Sequence, residues 1–103
     1  MNEHGNSEGS IYRQYIAEAV AAVRSRRFDE SDTYLRRALA VDYSRPEAFN
    51  ALGILMEFQG NPLQAQNYYR AALSLDPTYV PARNNLDRTV GLRQIQSWDL
   101  GDN

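Results

Sequence analysis

Histidine, cysteine and lysine carry much of the nucleophilic, metal-binding and Schiff-base chemistry of proteins. In these 103 residues there is one histidine, no cysteine and, among 11 basic residues, no lysine. His4 stands alone in a polar stretch, so neither a two-histidine metal site nor a serine–histidine–aspartate arrangement can be assembled. Without cysteine there is no disulfide framework, no thiolate nucleophile and no cysteine-ligated metal. Without lysine there is no P-loop of the usual kind. The neighbouring carboxylates Asp29 and Glu30 open a helical segment, where complementarity to the helix dipole accounts for them. Arg24, Arg26, Arg27, Arg36 and Arg37 cluster beside Asp29, Glu30 and Asp32. That pattern reads as a solvated salt-bridge face, with a phosphate or acidic partner as the alternative. Tyr34, Tyr68 and Tyr69 read as inter-helix packing rather than as stacking platforms for bases. No catalytic residue, no metal and no cofactor is expected, and the chain is not expected to be an enzyme.

What remains is binding. A net charge of −2 argues against a general nucleic-acid binder, which shows a basic excess. Apolar residues make up 43% of the chain, enough for a packed core, and the length suits one domain. The first ten residues are polar and acidic, unlike a secretion signal. The most apolar stretch, 11–23, is broken by Arg13, Gln14 and Glu18 and is too short for a membrane span. The expectation is a cytoplasmic protein with no membrane partner.

The elements that would position a binding site follow from a 34-residue internal repeat. Setting 12–45 against 46–79 gives six identities: Ala17/Ala51, Tyr34/Tyr68, Arg36/Arg70, Ala38/Ala72, Leu39/Leu73 and Asp42/Asp76. Conservative pairs add Tyr15/Phe49, Ala19/Gly53, Val20/Ile54, Val41/Leu75 and Ser31/Ala65. Small residues recur where two helices must approach closely, and aromatics recur where they would fill the same gap. Helical spacing predicts five helices, near 11–25, 28–41, 45–59, 62–75 and 79–97. Ser10, a Ser44–Glu47 capping box, Asn61 before Pro62, and Thr78 are the expected N-terminal signals. Ile11, Tyr15, Ala19 and Ala22 form one helical face. Tyr15, Ala19, Ala38, Phe49, Gly53, Ala65, Tyr69 and Ala72 are expected to be buried.

Phe49, Leu52, Gly53, Met56, Ala65, Tyr69, Ala72 and Pro77, with Gly60-Asn61 at the turn, resemble the tetratricopeptide repeat. Residues 12–45 resemble a degenerate copy, in which Glu18, Arg26 and Tyr43 replace the usual leucine, turn glycine and closing proline. Glu18, with Gln14 and Ser25, suits a solvated N-terminal edge. From Val80 a half repeat begins, with Arg83, Leu86 and Val90 on the spacing. The resemblance implies an all-α helical-repeat solenoid, two antiparallel helix pairs plus a C-terminal solvating helix. The expected layout is a disordered tail at 1–10, one domain over 11–98 and a frayed end at 99–103.

The resemblance also implies a concave groove formed by the first helix of each pair. The groove positions would be Arg13, Ile16, Val20 and Val23, then Glu47, Asn50, Ile54, Glu57 and Phe58, then Asn84 and Arg88. In this reading apolar anchors set affinity, asparagine amides pair with a backbone, and Arg88 takes a carboxylate. Members that hold acidic chaperone tails use basic residues and asparagine at positions occupied here by Ile16, Val20, Ala51, Pro81 and Asn85, so such tails are not expected to bind. The implied function is a protein–protein interaction adaptor that takes a peptide or helix of another protein. The alternative is self-association as a scaffold, through the groove or the C-terminal stripe Leu92, Ile95 and Trp98. That stripe is expected either to fold back around Tyr68, Tyr69 and Tyr79 or to form a weak homodimer.

Overall fold

The computed structural model describes residues 4–91 and 98–102. Its elements are α1 (His4–Arg24), α2 (Phe28–Val41), α3 (Glu47–Phe58), α4 (Pro62–Leu75) and α5 (Val80–Thr89). There is no strand among the described residues, and no described helix is long and apolar enough to cross a membrane. The fold is an all-α helical repeat. The chain divides after Ser44 into two compact units, one residue from the repeat boundary read in the sequence.

In the first unit, α1 and α2 pack as an antiparallel pair. Tyr15 faces Tyr34, with ring centroids 6.3 Å apart. One turn further along α1, the buried Ser31 hydroxyl donates to the Ala19 carbonyl at 2.9 Å. Tyr12, Ala19, Ala22, Ser31, Leu35 and Ala38 are buried. The apolar face of α1 is rotated from the expected one. Tyr12 is buried while Ile11 is exposed and Tyr15 half-buried, because Tyr12 lies seven residues, two turns, before Ala19. The helix also begins at His4, not after Ser10, where a disordered tail was expected. Adding turns to a formed helix costs far less than nucleating one. Ser10 is therefore inside the helix, where its hydroxyl accepts from Arg13 at 3.4 Å.

In the second unit, α3 and α4 repeat this pairing and α5 packs beside both. Phe49 faces Tyr68 at 6.4 Å, and Phe49 is half-buried rather than buried. Gly53 lets the Tyr69 ring close on α3: a Cβ there would stand 2.4 Å from the ring. Asn61 caps α4 as expected, accepting from the Gln64 N–H at 3.2 Å. Two other caps differ. Ser44 and Thr78 do not cap the helices after them. Each donates its N–H and its hydroxyl to the preceding aspartate, Asp42 or Asp76. These short polar side chains close local turns in competition with capping, and the turn donors hold the Asp76 carboxyl below the usual range. α5 ends at Thr89, not near 97: Gly91 at φ 82 is a C-terminal helix stop rather than a weak interior position.

Candidate functional site on the shared face of α3 and α5

Asn50 is on the first half of α3 and Glu57 and Phe58 on its last turn. Asn84, Asn85 and Arg88 are on α5. The structure brings these six side chains together in the second unit. At their centre are two buried amides: Asn85 Nδ2 donates to Asn50 Oδ1 at 2.8 Å. A buried amide costs stability unless its donors and acceptors are paired, and here both side chains also bond one further residue. Asn50 Nδ2 and Asn85 Nδ2 each donate to the Asp99 carbonyl at 2.9 Å. Asn85 Oδ1 accepts the Asp99 N–H, also at 2.9 Å. One amide side chain thus spans both backbone groups of a single residue, a grip that is blind to that residue's side chain. A third asparagine reads the side chain, with Asn84 Nδ2 donating to Asp99 Oδ2 at 2.9 Å.

Electrostatics fix the geometry. Arg88 meets Glu57 through two parallel hydrogen bonds of 2.6 and 2.7 Å, with both side chains mostly buried. Such a fork aligns the guanidinium far better than a single contact would. The Glu57 hydrogen bond holds the Arg88 pKa above its ordinary value, so the group stays charged. The Tyr69 hydroxyl donates to the same carboxylate. Burial first, and then Glu57, push that phenol well above its usual range, so it remains a proton donor. Held in this way, Arg88 Nη2 donates to Asn85 Oδ1 at 3.2 Å. The Asn85 amide now has two donations and two acceptances, its full complement.

Beside the polar grip is an aromatic one. The Trp98 ring packs on Phe58 with centroids 4.4 Å apart, and the Arg88 guanidinium stands 5.9 Å from the Trp98 centroid. Both are attractive geometries for an aromatic guest. Residues 99–101, expected to fray, are therefore held: the Gly101 N–H donates to Asp99 Oδ1 at 3.0 Å. A Cβ on Gly101 would come within 2.5 Å of the Tyr79 hydroxyl.

Of the predicted groove residues, Asn50, Glu57, Phe58, Asn84 and Arg88 meet here. Others do not. Ile54 is fully buried and belongs to the core. Glu47 pairs with Arg45 at 3.8 Å. In the first unit, Val20 and Val23 are buried, Ile16 is half-buried, and Arg13 is exposed and turned to Ser10. The expectation that Ile16, Val20, Val23, Ile54 and Phe58 form the open apolar part of a groove is therefore corrected at Val20, Val23 and Ile54, which are buried. Arg88, expected to await a partner's carboxylate, already holds Glu57. Leu92 and Ile95 lie outside the described residues, whereas Trp98 sits on Phe58. Asn85 and Asp99 were not among the predicted groove residues. Repeat register pairs Asn50 with Asn84, but the facing residue on α5 is one further on. The available signal was that Asn85 precedes Arg88 by three residues and so shares its face.

The site presents neutral amides, a satisfied ion pair and an aromatic shelf. Among the described residues no group of histidine, cysteine, aspartate and glutamate could hold a metal. What this arrangement can do is hold a polypeptide backbone. Two helix pairs related by a fixed shift define a helical-repeat protein. The second pair, 46–79, matches the family model for the tetratricopeptide repeat. Repeats of this family are non-catalytic and generally mediate protein–protein interaction. No solved structure matches the chain.

Proposed function

We propose that the protein is an interaction adaptor and that the shared face of α3 and α5 binds an extended segment of another protein. The observation that carries this is the grip of Asn50 and Asn85 on both backbone groups of one residue. The backbone grip itself needs no particular side chain, so any selectivity comes from Asn84 and the aromatic shelf beside it. Phe58 and Arg88 supply an aromatic shelf beside it. A hydrogen bond is worth about 1 kcal/mol net, so the loss of the two that Asn85 makes to a guest costs roughly tenfold or more in affinity.

The test is binding of an array of short peptides of varied composition to the full chain, read by nuclear magnetic resonance of the asparagine side-chain amides. Bound peptides are expected to shift the Asn50 and Asn85 amide signals. They are also expected to bind at least about tenfold more weakly to Asn85→Ala, with Phe58→Ala as a second variant and circular dichroism confirming the fold of each. Peptides that bind without shifting those signals, or bind both variants as well as the parent, would refute the reading.

A further inference from the structure

The occupant now in the site says what kind of segment fits it. Residues 98–101 do not merely cover an apolar face. They use every recognition element of the site: the aromatic shelf through Trp98, the backbone grip through the Asp99 carbonyl and N–H, and Asn84 through the Asp99 carboxylate. We propose that residues 98–101 are an internal stand-in for the partner, and that the partner is an extended segment in which an aromatic residue is followed directly by aspartate. This rests on the reading of the α3–α5 face as a peptide site and adds the chemistry of the peptide.

Three features argue for displacement rather than a permanent closure. Trp98 is 38% exposed although its ring lies on Phe58, so the shelf is only partly used. Arg88 Nε is buried without an acceptor among the described residues, so a guest that supplies one makes a contact that residues 98–101 do not. Apart from the Trp98 ring, the hold on this segment is four hydrogen bonds to Asp99, which suits a guest that exchanges. A short tether sets an effective concentration on the order of mM. A segment with an intrinsic Kd of about 100 μM would then fill the site roughly nine-tenths of the time. A competing partner would have its apparent affinity lowered about tenfold. The tail therefore acts as a threshold that rejects weak, unrelated segments.

The probe is a labelled peptide, Phe-Asp-Leu-Gly-Asp, which copies 98–102 with phenylalanine in place of tryptophan. Trp98, the only tryptophan of the chain, then reports the fate of the tail. Titrating the peptide into the full chain is expected to shift Trp98 fluorescence to the red and to raise its quenching by acrylamide. Fluorescence polarisation is expected to show about tenfold tighter binding to Trp98→Ala, in which the tail is weakened. Binding should fall again in Trp98→Ala combined with Asn85→Ala, and should be lost when the peptide carries alanine for phenylalanine or for aspartate. A peptide that binds the parent and Trp98→Ala equally would overturn the proposal. So would a concentration-dependent dimer of the parent, seen by sedimentation and abolished by Trp98→Ala, because the tail would then serve a second copy. If unrelated peptides shift the Asn50 and Asn85 amides while this one does not, the aromatic–aspartate inference fails and the peptide site stands. If no peptide binds even Trp98→Ala, both fail.

Discussion

The two helix pairs solve one geometric problem with different side chains. α2 and α4 each span 14 residues and start and stop 34 positions apart. The turns before them match bond for bond. Arg26 N–H reaches the Val23 carbonyl and Arg27 N–H the Ala22 carbonyl, at 3.0 and 2.8 Å. In the second pair, Gly60 reaches Glu57 and Asn61 reaches Met56, at 3.0 and 2.9 Å. Both are helix stops with a left-handed residue, φ 60 at Arg26 and φ 76 at Gly60. Beyond the helices, Asp42 and Asp76 close the same side-chain turn. Yet the first pair has Glu18, Arg26 and Tyr43 where the second, which matches the family model, has Leu52, Gly60 and Pro77. A repeat therefore tolerates loss of its signature residues so long as the small-residue seam and the turn dihedrals survive. The signature marks one low-cost solution, not the only one.

The pairs part company at the seam. Where the first has Ala19 with Leu35, both fully buried, the second has Gly53 with Tyr69. The larger ring needs the smaller partner. The Tyr69 hydroxyl then reaches Glu57, which holds Arg88 on α5. The exchange of a leucine for a tyrosine thus links the second pair's seam to the shared face of α3 and α5. The first pair spends its polar seam contact internally, on the bond from Ser31 to Ala19.

The largest effect should come from the core positions that the two pairs share. Val20 and Ile54 are repeat equivalents and both buried. Ile54→Glu is expected to place a charge where no partner waits and to cost more than about 4 kcal/mol, unfolding the second unit. Urea denaturation followed by circular dichroism measures this. A stable variant that merely loses peptide binding would return Ile54 to the groove.

Seam substitutions should be smaller. Gly53→Ala drives a methyl into the Tyr69 ring and is expected to cost about 2 kcal/mol. Combining it with Tyr69→Leu recreates the first pair's seam. The double variant should recover part of that loss in a thermodynamic cycle, since contacting residues couple. Strict additivity would mean that the two seams are not alternative solutions of one space.

The turns should give the smallest change. Arg26→Gly relieves a left-handed arginine and is expected to stabilise by about 1 kcal/mol, with Gly60→Arg destabilising by a similar amount. A Cβ on Gly60 would meet nothing within 4 Å, so the penalty is conformational, not steric. Thermal melts of both variants test the sign; equal stabilities would remove the dihedral from the account of why the first turn is degenerate.

By itself the sequence determined the helices, their antiparallel pairing and the repeat, because these rest on short-range causes. Small residues at fixed helical spacing, Asn61 before Pro62, and glycine at a turn act within a few residues of themselves. Even there, local competition misled. Ser44 and Thr78 look like helix caps, but their nearest acceptors are Asp42 and Asp76. Five of the predicted groove residues do meet, since repeat register places Asn50, Glu57, Phe58, Asn84 and Arg88 on two neighbouring helices. Only the tertiary structure decided that Ile54 is core and that Asn85, not Asn84, is the buried partner of Asn50. It alone decided that Asp99 closes the site. Asn50 and Asp99 are 49 residues apart, and no periodicity carries information over that distance. A buried amide takes whichever partner the packing brings within 3 Å, and which partner that is depends on how three helices and a chain end settle against one another.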